Sequence, residues 1–351
     1  MSFSQLRRLD QGRAFNPAPH LHELASVFVP FDSLTGERTV EHAARTALVH
    51  RRRVALMGAT GSGKSSVIGH VLAEAGEALL GLRVPVSIEE PEVAVEPEAF
   101  LAHLLRHLRE EVVKSRPESK RAINRSVPRG QRETTRTYSA EAGLAGIKAG
   151  LSYAVKQALE EQSATNTRAV EAVGELLAII DDHGVVPVIV LDDTDKWVPS
   201  ALAPQNARLR GQFFTRILRV LAEEIDATVL LAVHPAYVDD EAFQASRGFI
   251  ERVIELPTLP DVAAARRLVA RRVATGLEVP EQGLELGAVL APDALELLFE
   301  YYAPSTNIRQ GLLVPLNGAL TQALDADAEV IDVAHVRAEL ADLDGAAWLR
   351  T

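Results

Sequence analysis

The chain has 351 residues, 47% of them hydrophobic and 24% charged, with a formal net charge of -11. That length admits two or more cores of ordinary globular type, and the acidic balance excludes a uniformly basic coat for nucleic acid while leaving room for a local basic strip. The absence of cysteine excludes disulfides and thiolate metal sites.

The first residues carry basic side chains but no apolar core of signal-peptide type, and no apolar run approaches the length that spans a bilayer. A cytoplasmic protein with no membrane attachment is expected. Residues 1–39 read as an irregular arm, because Pro17, Pro19, Pro30 and Gly36 interrupt any periodicity. A helix over 40–51 leads into Val54 to Met57, a short buried strand. After a glycine-rich turn, Lys64 to Ala75 reads as a helix with Gly76 as its C-terminal cap. Val84 to Ile88 is the second predicted strand, and apolar residues at helical spacing from Phe100 to Val112 predict a helix over 97–113.

The stretch 114–136 then turns basic, from Lys114 through Arg125 to Arg136, with almost no apolar residues. Residues 137–156 are small and glycine-rich, and the two together read as an insertion over about 114–160. Regular structure resumes with a helix over 166–182 and the run Val185 to Leu191, apolar and β-branched as a central parallel strand should be. A helix over 206–224 and strands at Thr228 to Val233 and Arg252 to Leu256 follow. Strands alternating with helices predict an α/β core over 40–257, a parallel sheet with helices on both faces. Past Pro257 and Pro260 only helices are expected, at 261–275, 292–302, 306–324 and 332–341, which makes 258–351 a small all-α domain. Pro315 predicts a kink in the third of them.

Gly58-Ala59-Thr60-Gly61-Ser62-Gly63-Lys64-Ser65 fits G-x-x-x-x-G-K-[ST] throughout, and Ser66 follows it. Glycines let successive N–H groups turn towards phosphates, a lysine reaches the β- and γ-phosphates, and the serine hydroxyl ligates magnesium. The helix that starts there adds the positive end of its dipole. A buried strand before and a helix after are the context this P-loop requires. Phosphoryl transfer in this class also needs a carboxylate ending a neighbouring strand. Asp192 is the candidate magnesium residue, acting mainly through bound water, Asp193 the candidate to orient and deprotonate the attacking water, and Asp195 an alternative that shares or takes that second role. No N-K-x-D guanine-reading motif occurs, so ATP with Mg2+ is favoured over GTP.

On these motifs the chain resembles AAA+ ATPases, in the branch related to origin-recognition and replication-initiator proteins, over about residues 40–340. The resemblance implies an AAA+ P-loop core followed by a helical lid, ATP hydrolysis, and assembly into oligomers with ATP between subunits. It places a sensor residue at His234, where the family more often has Asn, Thr or Ser. It makes Arg247 the first candidate, and Arg252 the second, for an arginine that reaches a neighbouring subunit's ATP. It also gives Ser305-Thr306-Asn307-Ile308-Arg309-Gln310 as the start of the lid helix, with Arg309 facing the nucleotide. The Asp-Asp ending departs from the commoner Asp-Glu and resembles STAND and KAP switch ATPases, which implies slower hydrolysis. No room for an appended winged-helix domain is expected after the lid, a plan closer to ATPases that regulate DNA transposition.

The basic strip 114–136 has two readings, a solvated loop, as charge runs usually are, and a track for a DNA backbone. Base stacking is not supported, because no aromatics are interleaved. His103 and His107 lie four apart without a third ligand and read as solvated histidines, and Trp197 reads as a packing residue. The expectation is an oligomeric ATPase that remodels or scaffolds DNA or a partner protein. The alternative is a slow ATP/ADP switch controlling a partner effector.

Overall fold

The computed structural model describes residues 3–17, 26–84, 96–114, 169–192, 207–305 and 307–347. The basic strip beyond Lys114, the glycine-rich stretch, Asp193, Asp195, Trp197 and Thr306 lie outside the described residues. The chain divides into two compact units, one of residues 42–57 and 71–255, the other of residues 1–41, 58–70 and 256–351.

The first of these units is built on five parallel strands: β1 (Val54–Met57), β2 (Leu79–Arg83), β3 (Val186–Leu191), β4 (Thr228–Val233) and β5 (Arg252–Glu255). They run in the order β2-β3-β4-β1-β5. Every residue of β1 and β4 is buried, which is why these strands read as continuous apolar runs instead of alternating ones. One face, with Ala55, Met57, Leu80, Leu82, Ile189, Leu191, Val229 and Leu231, packs with Val173, Leu176 and Ile180 of the helix Ala169–Asp182 and Phe100 and Leu104 of the helix Pro97–Lys114. On the other face Gly81 lies so close to Leu72 that a Cβ there would collide with it. Helices therefore cover both faces, as expected for the α/β class.

Two local expectations are corrected. The second strand is Leu79–Arg83, ahead of the stretch 84–88 expected to form it, of which 85–88 lie outside the described residues; Gly81 breaks the apolar run in the sequence, yet it is the residue that admits Leu72. The helix expected over 206–224 starts as Ala207–Gln212 and then widens into π turns at Phe213–Ile217 and Val220–Glu224. The wider winding brings consecutive Phe213 and Phe214 inward, where the Phe214 ring meets Tyr237 at 5.7 Å and Phe243 at 5.3 Å.

In the other unit the helices Val262–Leu277, Pro292–Ser305, Val314–Asp325 and Val333–Ala347 form the all-α part. The third is preceded by a π segment, Ile308–Leu313, and the winding changes beside Pro315, whose missing N–H is tolerated near a helix start. Residues 1–39 are not irregular throughout. Phe3–Gln11 and Phe31–Thr35 are helical, and Leu6 and Leu9 are fully buried on the side where the first of them meets Val262–Leu277 and Val314–Asp325. A nine-residue helix is marginal alone, so this packing is what holds it.

Arginines of Val262–Leu277 grip the backbone of the N-terminal segment. Arg267 donates to Leu34 O at 2.7 Å, Arg271 to Ser26 O at 2.8 Å and Arg272 to Asn16 O at 2.9 Å. Burial pulls the Arg272 pKa down to about 10.

Candidate nucleotide-binding site

The strand β1 ends at Met57, and the next residues turn back on themselves before the helix Lys64–Ala75. Gly61 and Gly63 sit at φ +80° and +105°, which side chains rarely tolerate. Ser62 N donates to Ala59 O at 3.1 Å, and Ser66 N and Val67 N both donate to Gly63 O at 3.0 Å. The Lys64 ammonium curls over this turn and donates to Gly58 O at 2.6 Å and Ala59 O at 3.0 Å. Lys64 and Ser62 are each 8% exposed, and among the described residues the buried Ser62 Oγ has no hydrogen-bond partner.

The same unit covers the turn from two sides. Arg309 N donates to Gly61 O at 3.2 Å, and a Cβ on Gly61 would collide with Asn307 Oδ1 and come within 2.9 Å of Arg309 Cβ. Asn307 caps the π segment, accepting from Gln310 N at 3.0 Å. The Ser305 hydroxyl donates back to Tyr302 O at 2.9 Å. Arg309 itself is exposed. On the other side a Cβ on Gly63 would touch the Phe31 ring at 3.5 Å. Phe31 is held by Glu41, whose carboxylate accepts from Phe31 N at 2.8 Å and Asp32 N at 2.9 Å, while Asp32 Oδ1 accepts from Val40 N at 2.8 Å. Burial outweighs those bonds and raises the Glu41 pKa.

In the sheet unit Asp192 and His234 follow β3 and β4 directly, at the carboxyl ends of adjacent parallel strands. Such ends are where ligands of open α/β sheets bind. Asp192 Oδ2 lies 3.3 Å from Arg83 Nη1. His234 caps the short turn Pro235–Tyr237, its Nδ1 accepting from Ala236 N at 3.1 Å, which leaves the ring proton of the neutral form on Nε2. Arg247 opens the turn Arg247–Phe249 and Arg252 opens β5; both are exposed, and among the described residues neither forms an ion pair.

Within its own unit the turn offers groups that fit phosphates: amides, a shielded ammonium, an orphaned hydroxyl at Ser62 and a hydroxyl at Ser65; in the sheet unit Asp192 offers a carboxylate of the kind that suits magnesium. Asn307, Phe31, Glu41 and Arg83 make contacts that no motif in the sequence marks. Only Asn307 had a signal, as an Asn just ahead of a helical run.

No protein-family model matches the chain, and no curated protein matches it. Among solved structures it is similar to three from Aeropyrum pernix. The ORC1 protein in complex with DNA is 17% identical, with a TM-score of 0.46 over 87% of this chain and 65% of that one. The ORC2 protein in ADPNP–ADP complexes is 13% identical, with a TM-score of 0.48 over 86% of this chain and 66% of that one. The ORC2 protein in its ADP form is 15% identical, with a TM-score of 0.48 over 87% and 68%. The chain thus spans about two thirds of the length of these proteins.

Proposed function

We propose that the chain binds ATP with Mg2+ and hydrolyses it, as an oligomeric ATPase of AAA+ type. The observation that carries this is the turn at 58–65, a complete phosphate-binding motif with two glycines at positive φ and Lys64 bent over carbonyls where phosphates would take its charge. In this reading residues Gly58 to Ser66 hold the phosphates through their amides, and Lys64 neutralises the β- and γ-oxygens. Ser65 and Asp192 would hold magnesium, which would supply positive charge against that of the phosphates. Asp193 orients the attacking water and takes its proton, and Asp195 stands in for it if Asp193 is dispensable. His234 would sense the γ-phosphate through its Nε2–H. Arg309 reports the nucleotide to the lid of residues 258–351, a role supported by its amide on Gly61 O. Arg247, or Arg252, acts on a neighbouring copy's ATP, in keeping with its exposure.

The output of turnover is remodelling or scaffolding of DNA or of a partner protein, with 114–136 as the DNA contact. The test is phosphate release from Mg-ATP with and without double-stranded DNA, alongside Lys64→Ala and the oligomeric state with ATP. Turnover that vanishes in Lys64→Ala supports the ATPase, and stimulation by DNA supports the DNA role. ATP bound without turnover points instead to the slow switch that the short Asp192-Asp193 pair suggests. No binding of ATP refutes the proposal.

A further inference from the structure

Arg83 ends β2, and in the parallel register it lies opposite Val190 of β3, two residues before Asp192. The ladder runs one bond further, from Val84 N to Val190 O at 3.0 Å, which fixes the backbone on both sides of Arg83. From there the guanidinium reaches the first acid beyond the neighbouring strand, Nη1 to Oδ2 at 3.3 Å. The two side chains are 19% and 16% exposed, so water and salt screen this pair much less than a surface pair. A cation has been placed on the carboxylate that the reading above gives to magnesium. The arginine donates to the same oxygen lone pairs that a metal or its bound water would use, and it repels the metal's two charges.

We propose that Arg83 is a latch on Asp192: it compensates the carboxylate while no metal is bound, and magnesium arriving with nucleotide must displace it. Arg83 is thus a positioning residue that sets how much magnesium the site requires, an inference that rests on Asp192 being the metal residue. The arginine's charge offsets part of the cost of shielding this carboxylate in the empty protein. Its cost is a higher magnesium requirement for tight nucleotide binding.

The experiment is an equilibrium titration of a fluorescent ATP analogue with the full chain at a series of Mg2+ concentrations, followed by the probe's anisotropy instead of by turnover. Groups that share an ion pair couple by factors of roughly two to a hundred, and for this shielded pair Arg83→Ala should lower the half-effective Mg2+ concentration about tenfold. Arg83→Lys, which keeps the charge, should stay close to wild type. Arg83→Gln, close in shape but neutral, should follow Arg83→Ala and serves in its place if the alanine chain does not fold. On an Asp192→Asn background the Arg83 substitutions should change nothing. A magnesium requirement that is unchanged, or higher, in both neutral variants overturns the latch. If Asp192→Asn leaves the magnesium response of wild type intact, the assignment of Asp192 fails, and the latch fails with it. If Asp192→Asn abolishes that response and Arg83→Gln moves nothing, only the latch is lost.

Discussion

Glu41 is a buried acid whose carboxylate touches no basic side chain among the described residues; it accepts from the backbone N–H groups of Phe31 and Asp32. Glu41→Ala leaves both amides without an acceptor, at about 1–3 kcal/mol for each group that stays shielded. Removing the buried charge offsets part of that, so the net loss expected in urea unfolding at pH 7 is about 2 kcal/mol. Glu41→Gln keeps one acceptor oxygen and should lose about 1 kcal/mol. The pH dependence follows from the direction of the shift. Burial raises the folded-state pKa above its ordinary 4.5, so between those two values the folded chain binds more protons than the unfolded one. Stability from Glu41 is then fully present below the ordinary value and is lost as pH rises through the raised one. Wild type should therefore gain on Glu41→Gln as the pH is lowered from 7 towards 5. Glu41→Ala within about 0.5 kcal/mol of wild type, or a gap to Glu41→Gln that narrows on acidification, would refute the reasoning.

Gly61→Ala forces a side chain into a left-handed backbone, at about 1–2 kcal/mol, and drives a methyl into Asn307; ATP-analogue affinity should fall about tenfold, equal to about 1.4 kcal/mol, and unchanged binding would mean the lid segment is not seated on the turn. Asp240 pairs with the buried Arg210 at 2.7 Å and caps the helix Glu241–Ser246. In chemical denaturation Asp240→Ala should cost about 3 kcal/mol, and Asp240→Asn, which keeps the cap, should cost less; equal losses would locate the whole effect in the ion pair with Arg210. Arg272→Ala should cost about 2–3 kcal/mol by leaving Asn16 O and a void behind, whereas Arg272→Met, which keeps the stem and sheds the buried charge, should stay within about 1 kcal/mol of wild type; a Met variant as unstable as Ala would show that the guanidinium bonds dominate.

The parts legible in the sequence are those fixed by local rules. Lys64–Ala75 and Thr228–Val233 stand where periodicity and the glycine-rich turn placed them, because a P-loop constrains what precedes and follows it within a few residues. What escaped depends on contacts far apart in sequence. Gly81 looks like a break in β2 until Leu72 is seen filling the space, and Phe3–Gln11 looks too short to fold until Leu6 and Leu9 meet the C-terminal helices. The turn at 58–65 belongs to this second class as well as the first: its motif is local, but the groups over Gly61 and Gly63 come from residues 307–309 and 31. Residues 58–70 accordingly fall in one compact unit with the N-terminal segment and the C-terminal helices. Three regions of the chain therefore set the shape of the turn at 58–65, and under the proposed function a substitution in any of them should be read out first in nucleotide affinity. Glu41 and Asn307 are the two residues through which that dependence can be separated from Lys64 itself, since neither needs to touch a phosphate to move one.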